Sequence, residues 1–144
     1  MRALILDLRG NGGGLLSQAV EVADYFVDYG ELIVYTMGRD PHSRRDYRAR
    51  RPRSGKPLPL VALIDEGSAS AAEILAGAIQ DLDLGLVAGQ TSFGKGLVQE
   101  QFPLSSNGGL LLLTVARYYS PLGRLIQRPF SADFEAYYRD GGVA

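Results

Sequence analysis

The chain has 144 residues, of which 46% are hydrophobic and 22% charged, with a net charge of −1; this is one domain's worth of material, able to bury a real core. A balance near neutrality gives no general pull toward nucleic acid, and no apolar run approaches the ~20 residues that span a bilayer. There is no cysteine, hence no disulfide or thiolate metal site, and the N-terminus carries no signal-peptide pattern.

Residues 3–8 are a short apolar run that reads as an interior strand. The chain thus opens inside a strand, as expected of the C-terminal part of a longer protein. Glycines between 10 and 14 break this run. Leu15, Ala19, Val20, Val22, Ala23, Phe26 and Val27 then recur at helical spacing, and Gly30 ends the helix. Residues 32–36 form a second strand. Residues 39–56 hold eight of the fifteen basic residues, two acids and the single histidine, His42. Such a stretch can meet an anionic surface, but with only Tyr47 to stack on a base it reads as a solvated loop or hairpin tip. Residues 58–65 are a third strand. A second helix over 70–82 has Ile74, Leu75, Ala78, Ile79 and Leu82 as its core stripe, and a fourth strand covers 84–88. Residues 98–102 and 110–118 are further strands joined by a Gly/Asn/Ser turn over 105–109. The β-α-β rhythm predicts an α/β fold with a largely parallel sheet.

Three motifs carry chemistry. In Asp7-Leu8-Arg9-Gly10-Asn11-Gly12-Gly13-Gly14 a glycine-rich turn links strand to helix. A dinucleotide site fails on glycine spacing and on the missing acid after the second strand. An oxyanion hole built from a glycine N–H and a tight turn needing positive φ both stay open. Second, Ser70 and Glu73 form a capping-box pattern. Gly67 and the small residues at 68, 69, 71 and 72 also leave the Ser70 hydroxyl unobstructed, and a helix starting there aims the Ala71 N–H at whatever that hydroxyl attacks. One serine can do both. Third, residues 89–95 satisfy Gly-x-x-x-x-Gly-Lys, but Gly96 stands where a phosphate-binding loop needs Ser or Thr, and the residues that follow alternate like a strand.

A lysine between glycines suits a different task. A free lysine titrates near about 10.4, so a serine's proton acceptor needs an amine whose charged form is disfavoured by burial. Phe93, Leu97 and Val98 supply apolar surroundings, and Gln99 could orient the amine without adding charge. Asp81 reads as a structural residue. A Ser-His-Asp arrangement would require His42 to leave a polar loop for the core.

The four blocks at residues 7–14, 67–74, 89–99 and 116–124 resemble, in order and in Ser-to-Lys spacing, the C-terminal processing peptidases, also called tail-specific proteases. The resemblance implies a serine endopeptidase acting on proteins with exposed C-termini, with Ser70 as nucleophile, Lys95 as general base, Gln99 as its orienting partner, and the N–H groups of Gly13 and Ala71 as oxyanion hole. It implies a layered core similar to the crotonase and Clp-protease superfamily, no metal or cofactor, no nucleic-acid partner, and an extracytoplasmic (often periplasmic) location. Residues 1–130 would then be the C-terminal part of an incomplete catalytic domain and 131–144 a tail. The PDZ domain and helical segment that precede the core in the family, through which membrane association could arise, are not in this sequence. Ala72 replaces a serine common in the family, at a position with no catalytic role. An inactive peptide-binding module on the same fold is the alternative reading.

Overall fold

The apolar runs become seven strands and two helices in the computed structural model, which describes residues 1–52, 58–104 and 108–129. The strands are β1 (Leu4–Asp7), β2 (Leu32–Met37), β3 (Arg45–Arg48), β4 (Leu60–Ile64), β5 (Leu86–Gly89), β6 (Leu97–Pro103) and β7 (Leu110–Tyr119). The helices are α1 (Leu16–Ala23) and α2 (Ala71–Asp81), with one 3-10 turn at Pro41–Ser43. The centre of the turn expected over 105–109 and the tail expected over 131–144 lie outside the described residues.

The largely parallel sheet expected from the β-α-β rhythm holds for three of the strands, and the other four form a second sheet. β1, β4 and β5 form a parallel sheet in that order, Leu4 opposite Leu60 and Val61 opposite Leu86. β3, β2, β7 and β6 form an antiparallel one. The physical reason is connection length: seven residues separate β2 from β3, too few for the crossover that parallel pairing demands. The described part of the basic stretch is therefore a hairpin arm, and β3 is its charged edge strand. Asp46 pairs with both Arg44 and Arg48 at 2.7 Å, and the Arg44 guanidinium sits 3.9 Å over the Tyr35 ring. His42 is exposed on the turn.

α2 lies at the centre, packed against α1, β2, β4 and β5. It buries Ala72, Glu73, Ile74, Leu75, Ala76, Ala78 and Ile79, and a helix apolar around most of its girth belongs inside. Ile74 and Ile79 are fully buried, worth roughly 1.5–3 kcal/mol each. Its C-terminal end holds the chain after β7. Asp81 accepts hydrogen bonds from the Leu122 N–H (3.0 Å) and from Arg124, which also reaches Gln80 Oε1. Burial pushes the Asp81 carboxyl up, but Ser120, the Leu122 N–H and Arg124 outweigh it and hold the group below its ordinary value. Asp81 thus has the structural role expected of it. The anchored turn sends residues 125–128 back along β7, Leu125 opposite Tyr119. No helix among the described residues is long and apolar enough to cross a membrane.

Candidate active site

Ser70 stands between β4 and α2 with φ 54° and ψ −113°, and among described non-glycine residues only it and Asp83 have positive φ. Such a backbone costs on the order of 1–3 kcal/mol and persists only where neighbours impose it. Here they do. The Ser68 hydroxyl, fully buried, donates to the Leu8 carbonyl (2.7 Å) and accepts from the Asp65 N–H (2.9 Å). Asp65 Oδ1 accepts from the Gly10 N–H (2.8 Å) and the Gly67 N–H (3.0 Å), and the Ala69 N–H donates to the Asn11 carbonyl. The glycine loop and the serine turn are thereby stitched together. Gly13 is the contact point: its φ is 97°, and a Cβ there would fall 2.6 Å from the Ala69 carbonyl oxygen and 2.8 Å from Ser70 Cβ. Only glycine fits.

Asp65 gives this seam a pH dependence. The Gly10 N–H, then those of Gly67 and Ser68 with the Ser68 hydroxyl, hold its carboxyl below the ordinary value against the opposing effect of burial. A lowered folded-state pKa contributes stability above the unfolded value of about 3.9 and loses it as pH falls through the folded one. Asp65→Asn is expected to flatten the acid limb of a urea-midpoint-versus-pH curve below about pH 4; an unchanged limb would remove Asp65 from this role.

Glu73 joins the serine to the lysine. Only 6% exposed, it places Oε2 where it accepts from the Ser70 N–H (2.8 Å) and the Lys95 N–H (2.8 Å), while Oε1 accepts from the Gly94 N–H (2.7 Å) and the Ser92 hydroxyl (2.6 Å). Ser70 and Lys95 thus hang their backbone nitrogens on one carboxylate oxygen, within twice 2.8 Å of each other. The capping-box pattern foresaw the Ser70–Glu73 bond. It gave no sign of the three others, which are 19 to 22 positions distant.

Of the residues singled out in the sequence, Ser70, Ala71, Gly13 and the Lys95 backbone gather here. Ala71 heads α2, and its N–H has no acceptor among the described residues. The Gly13 N–H donates to Asn11 Oδ1 at 2.9 Å, so in this state it is engaged. Gln99 lies on β6 opposite Thr114, but among the described residues its side chain makes no hydrogen bond to the lysine. Lys95 is half-buried, as are Phe93, Leu97 and Val98, and Arg128 stands 5.6 Å from the Phe93 ring centre. The residues after Lys95 form β6, so no helix follows the Gly-Lys motif as a phosphate loop requires. Beside Ala71 and Gly13 opens an apolar hollow of about 220 Å³ walled by Leu8, Leu15, Val22 and Leu75.

The model of peptidase family S41 matches residues 1–136. The chain belongs to that family. It is 46% identical over 127 residues to the carboxy-terminal-processing protease of Bartonella bacilliformis, a match covering 88% of this chain and 29% of that protein. It is 46% identical over 121 residues to the chloroplastic C-terminal processing peptidase of Tetradesmus obliquus, covering 83% and 25%. The solved photosystem II D1 C-terminal processing protease superposes with a TM-score of 0.78 at 44% identity, over 88% of this chain and 32% of that one. Mature CPAF, at 15% identity and a TM-score of 0.68, shares the fold. The S41 chain thus spans between a quarter and a third of the relatives it matches.

Proposed function

We propose that this chain carries the Ser-Lys catalytic core of an endopeptidase that processes the C-terminal tails of proteins. The observation that carries this reading is the Glu73 bridge, which locks the turns bearing Ser70 and Lys95 together, with the free Ala71 N–H beside the strained serine. In the cycle, Ser70 Oγ attacks the scissile carbonyl carbon while Lys95, unprotonated, takes its proton. The Ala71 N–H receives the developing oxyanion; the Gly13 N–H joins it by exchanging Asn11 Oδ1 for that oxygen. The Lys95 ammonium then gives its proton to the departing amine, leaving a Ser70 ester. A water molecule, deprotonated by Lys95, attacks the ester carbonyl, and Lys95 returns that proton to Ser70 Oγ as the acyl–oxygen bond breaks, freeing the acid product and the serine hydroxyl. Gln99 serves as the neutral partner of the amine once substrate closes the site. The apolar hollow beside Ala71 takes a small apolar side chain next to the cut. By likeness to bacterial and chloroplastic relatives, the whole protein works outside the cytoplasm on a layered core of crotonase and Clp type, tail recognition residing in a separate module.

The test is cleavage of a peptide with an apolar C-terminus by the parent, Ser70→Ala and Lys95→Ala chains. The expected result is turnover in the parent and a loss of at least about 10³-fold in both variants. Turnover surviving in Ser70→Ala would sink the reading. The engaged Gly13 N–H favours one second reading, an inert module on the same fold; an inactive parent chain beside an active longer relative would select it.

A further inference from the structure

Residues 126–128 were no part of any motif, yet they close on Lys95 from the side opposite Glu73. A residue's backbone direction is fixed by the two peptide planes that flank it. The plane between Gly94 and Lys95 is held at both ends: its N–H donates to Glu73 Oε2, and its carbonyl, that of Gly94, accepts from the Arg128 N–H at 3.0 Å. The plane between Lys95 and Gly96 is held by a side chain, the Gly96 N–H donating to Gln127 Oε1 at 2.9 Å. Gln127 Nε2 in turn donates to the Arg128 carbonyl at 3.3 Å, which turns the acceptor end of the amide toward Gly96. The glycines make the approach possible. A Cβ on Gly96 would lie 2.3 Å from the Gln127 nitrogen, and one on Gly94 2.8 Å from Arg128 Cβ.

From this geometry, and resting on the Ser-Lys reading above, we infer that Gln127 is a positioning residue for Lys95: its amide oxygen fixes the second peptide plane and thereby the direction in which the amine leaves the backbone. The glycines around the lysine exist to admit this return segment, which α2 delivers through Asp81 and the turn at 120–124.

The chain is convenient for the test because it has only two lysines, Lys56 and Lys95; Lys56→Arg assigns the side-chain NMR signals of labelled lysine. In Gln127→Leu, close in size but without an acceptor, the Gly96 amide is expected to exchange with solvent at least about tenfold faster, with a shifted Lys95 signal. Where the parent cleaves peptide, kcat falls about 10- to 100-fold with KM little changed. Gln127→Glu restores the acceptor, giving up the 3.3 Å bond, and so restores Gly96 protection. That restored protection is a readout that stands even if Gln127→Leu fails to fold. A Lys95 signal in Gln127→Leu identical to the parent's, or Gly96 protection lost in a folded Gln127→Glu, would overturn the proposal whatever happens to melting temperature. These readings need no turnover: they can fail while Ser70→Ala still abolishes cleavage, and they can hold if Ser70→Ala leaves cleavage intact.

Discussion

Glu73→Gln is expected to destabilise the fold by about 2–4 kcal/mol and to abolish peptide cleavage, although it changes one atom. The carboxylate accepts on both oxygens: Ser70 and Lys95 N–H groups meet Oε2, and the Gly94 N–H and Ser92 hydroxyl meet Oε1. A glutamine has one acceptor end and one donor end. Whichever way the amide is turned, its NH₂ confronts a pair of donors, and at least one backbone N–H is left without a partner in a buried place. If the serine–lysine pair loses, the link between Ser70 and Lys95 opens; if the Gly94–Ser92 pair loses, the lysine loop slackens. Glu73→Ala orphans all of them and is expected to cost about 3–5 kcal/mol, the range for removing one side of a buried charged network. Urea unfolding followed by far-UV circular dichroism suits a chain without tryptophan. An unfolding midpoint for Glu73→Gln equal to the parent's would show that these bonds hold nothing.

That prediction could not have been written from the sequence, and the reason is physical. Elements declare themselves locally: the apolar run before Asp7, the helical period from Ile74 to Leu82, and the glycines flanking Lys95 are all readable because their signals lie within a few residues. Sheet membership does not. β3 (Arg45–Arg48) has no apolar alternation, only Tyr47 half-buried and Ala49 buried just beyond it, so the stretch left solvated loop and hairpin tip undecided and did not show that β2 joins an antiparallel sheet. The candidate site divides in the same way. Ser70 and Lys95 stand in recognisable local settings. The residues that bind those settings to each other and to the glycine loop are polar side chains reaching across 19 to 60 positions. Glu73 had a sufficient local explanation as half of a capping box, which concealed its longer reach. Asn11, Asp65 and Gln127 had no local signal beyond their type. Glycines offered an indirect one: Gly13, Gly94 and Gly96 are among the several whose Cβ would strike backbone or Cβ atoms of distant segments, and these three lie beside the serine or the lysine.

Ser70 substitutions should separate stability from activity. Ser70→Gly is expected to raise folding stability by about 1 kcal/mol while removing catalysis. A side chain at φ 54° and ψ −113° is strained by on the order of 1–3 kcal/mol, and glycine relieves that strain. Against the gain stand roughly 0.5–1 kcal/mol of extra unfolded-state freedom and a few tenths for the poorer helix cap, so a modest surplus survives. Ser70→Ala removes the same hydroxyl but keeps the Cβ, and with it the strain. The order of unfolding midpoints should therefore be Gly above parent, with Ala at or slightly below parent. Both variants should be at least about 10³-fold less active. The comparison isolates backbone strain from the chemistry of the hydroxyl, because the two variants share every chemical loss and differ only at one carbon. Equal stability of Ser70→Gly and Ser70→Ala would mean that the turn imposes no strain on its serine. A strained serine is otherwise what this arrangement predicts, since Asp65, Ser68, Asn11 and Glu73 hold the turn in place.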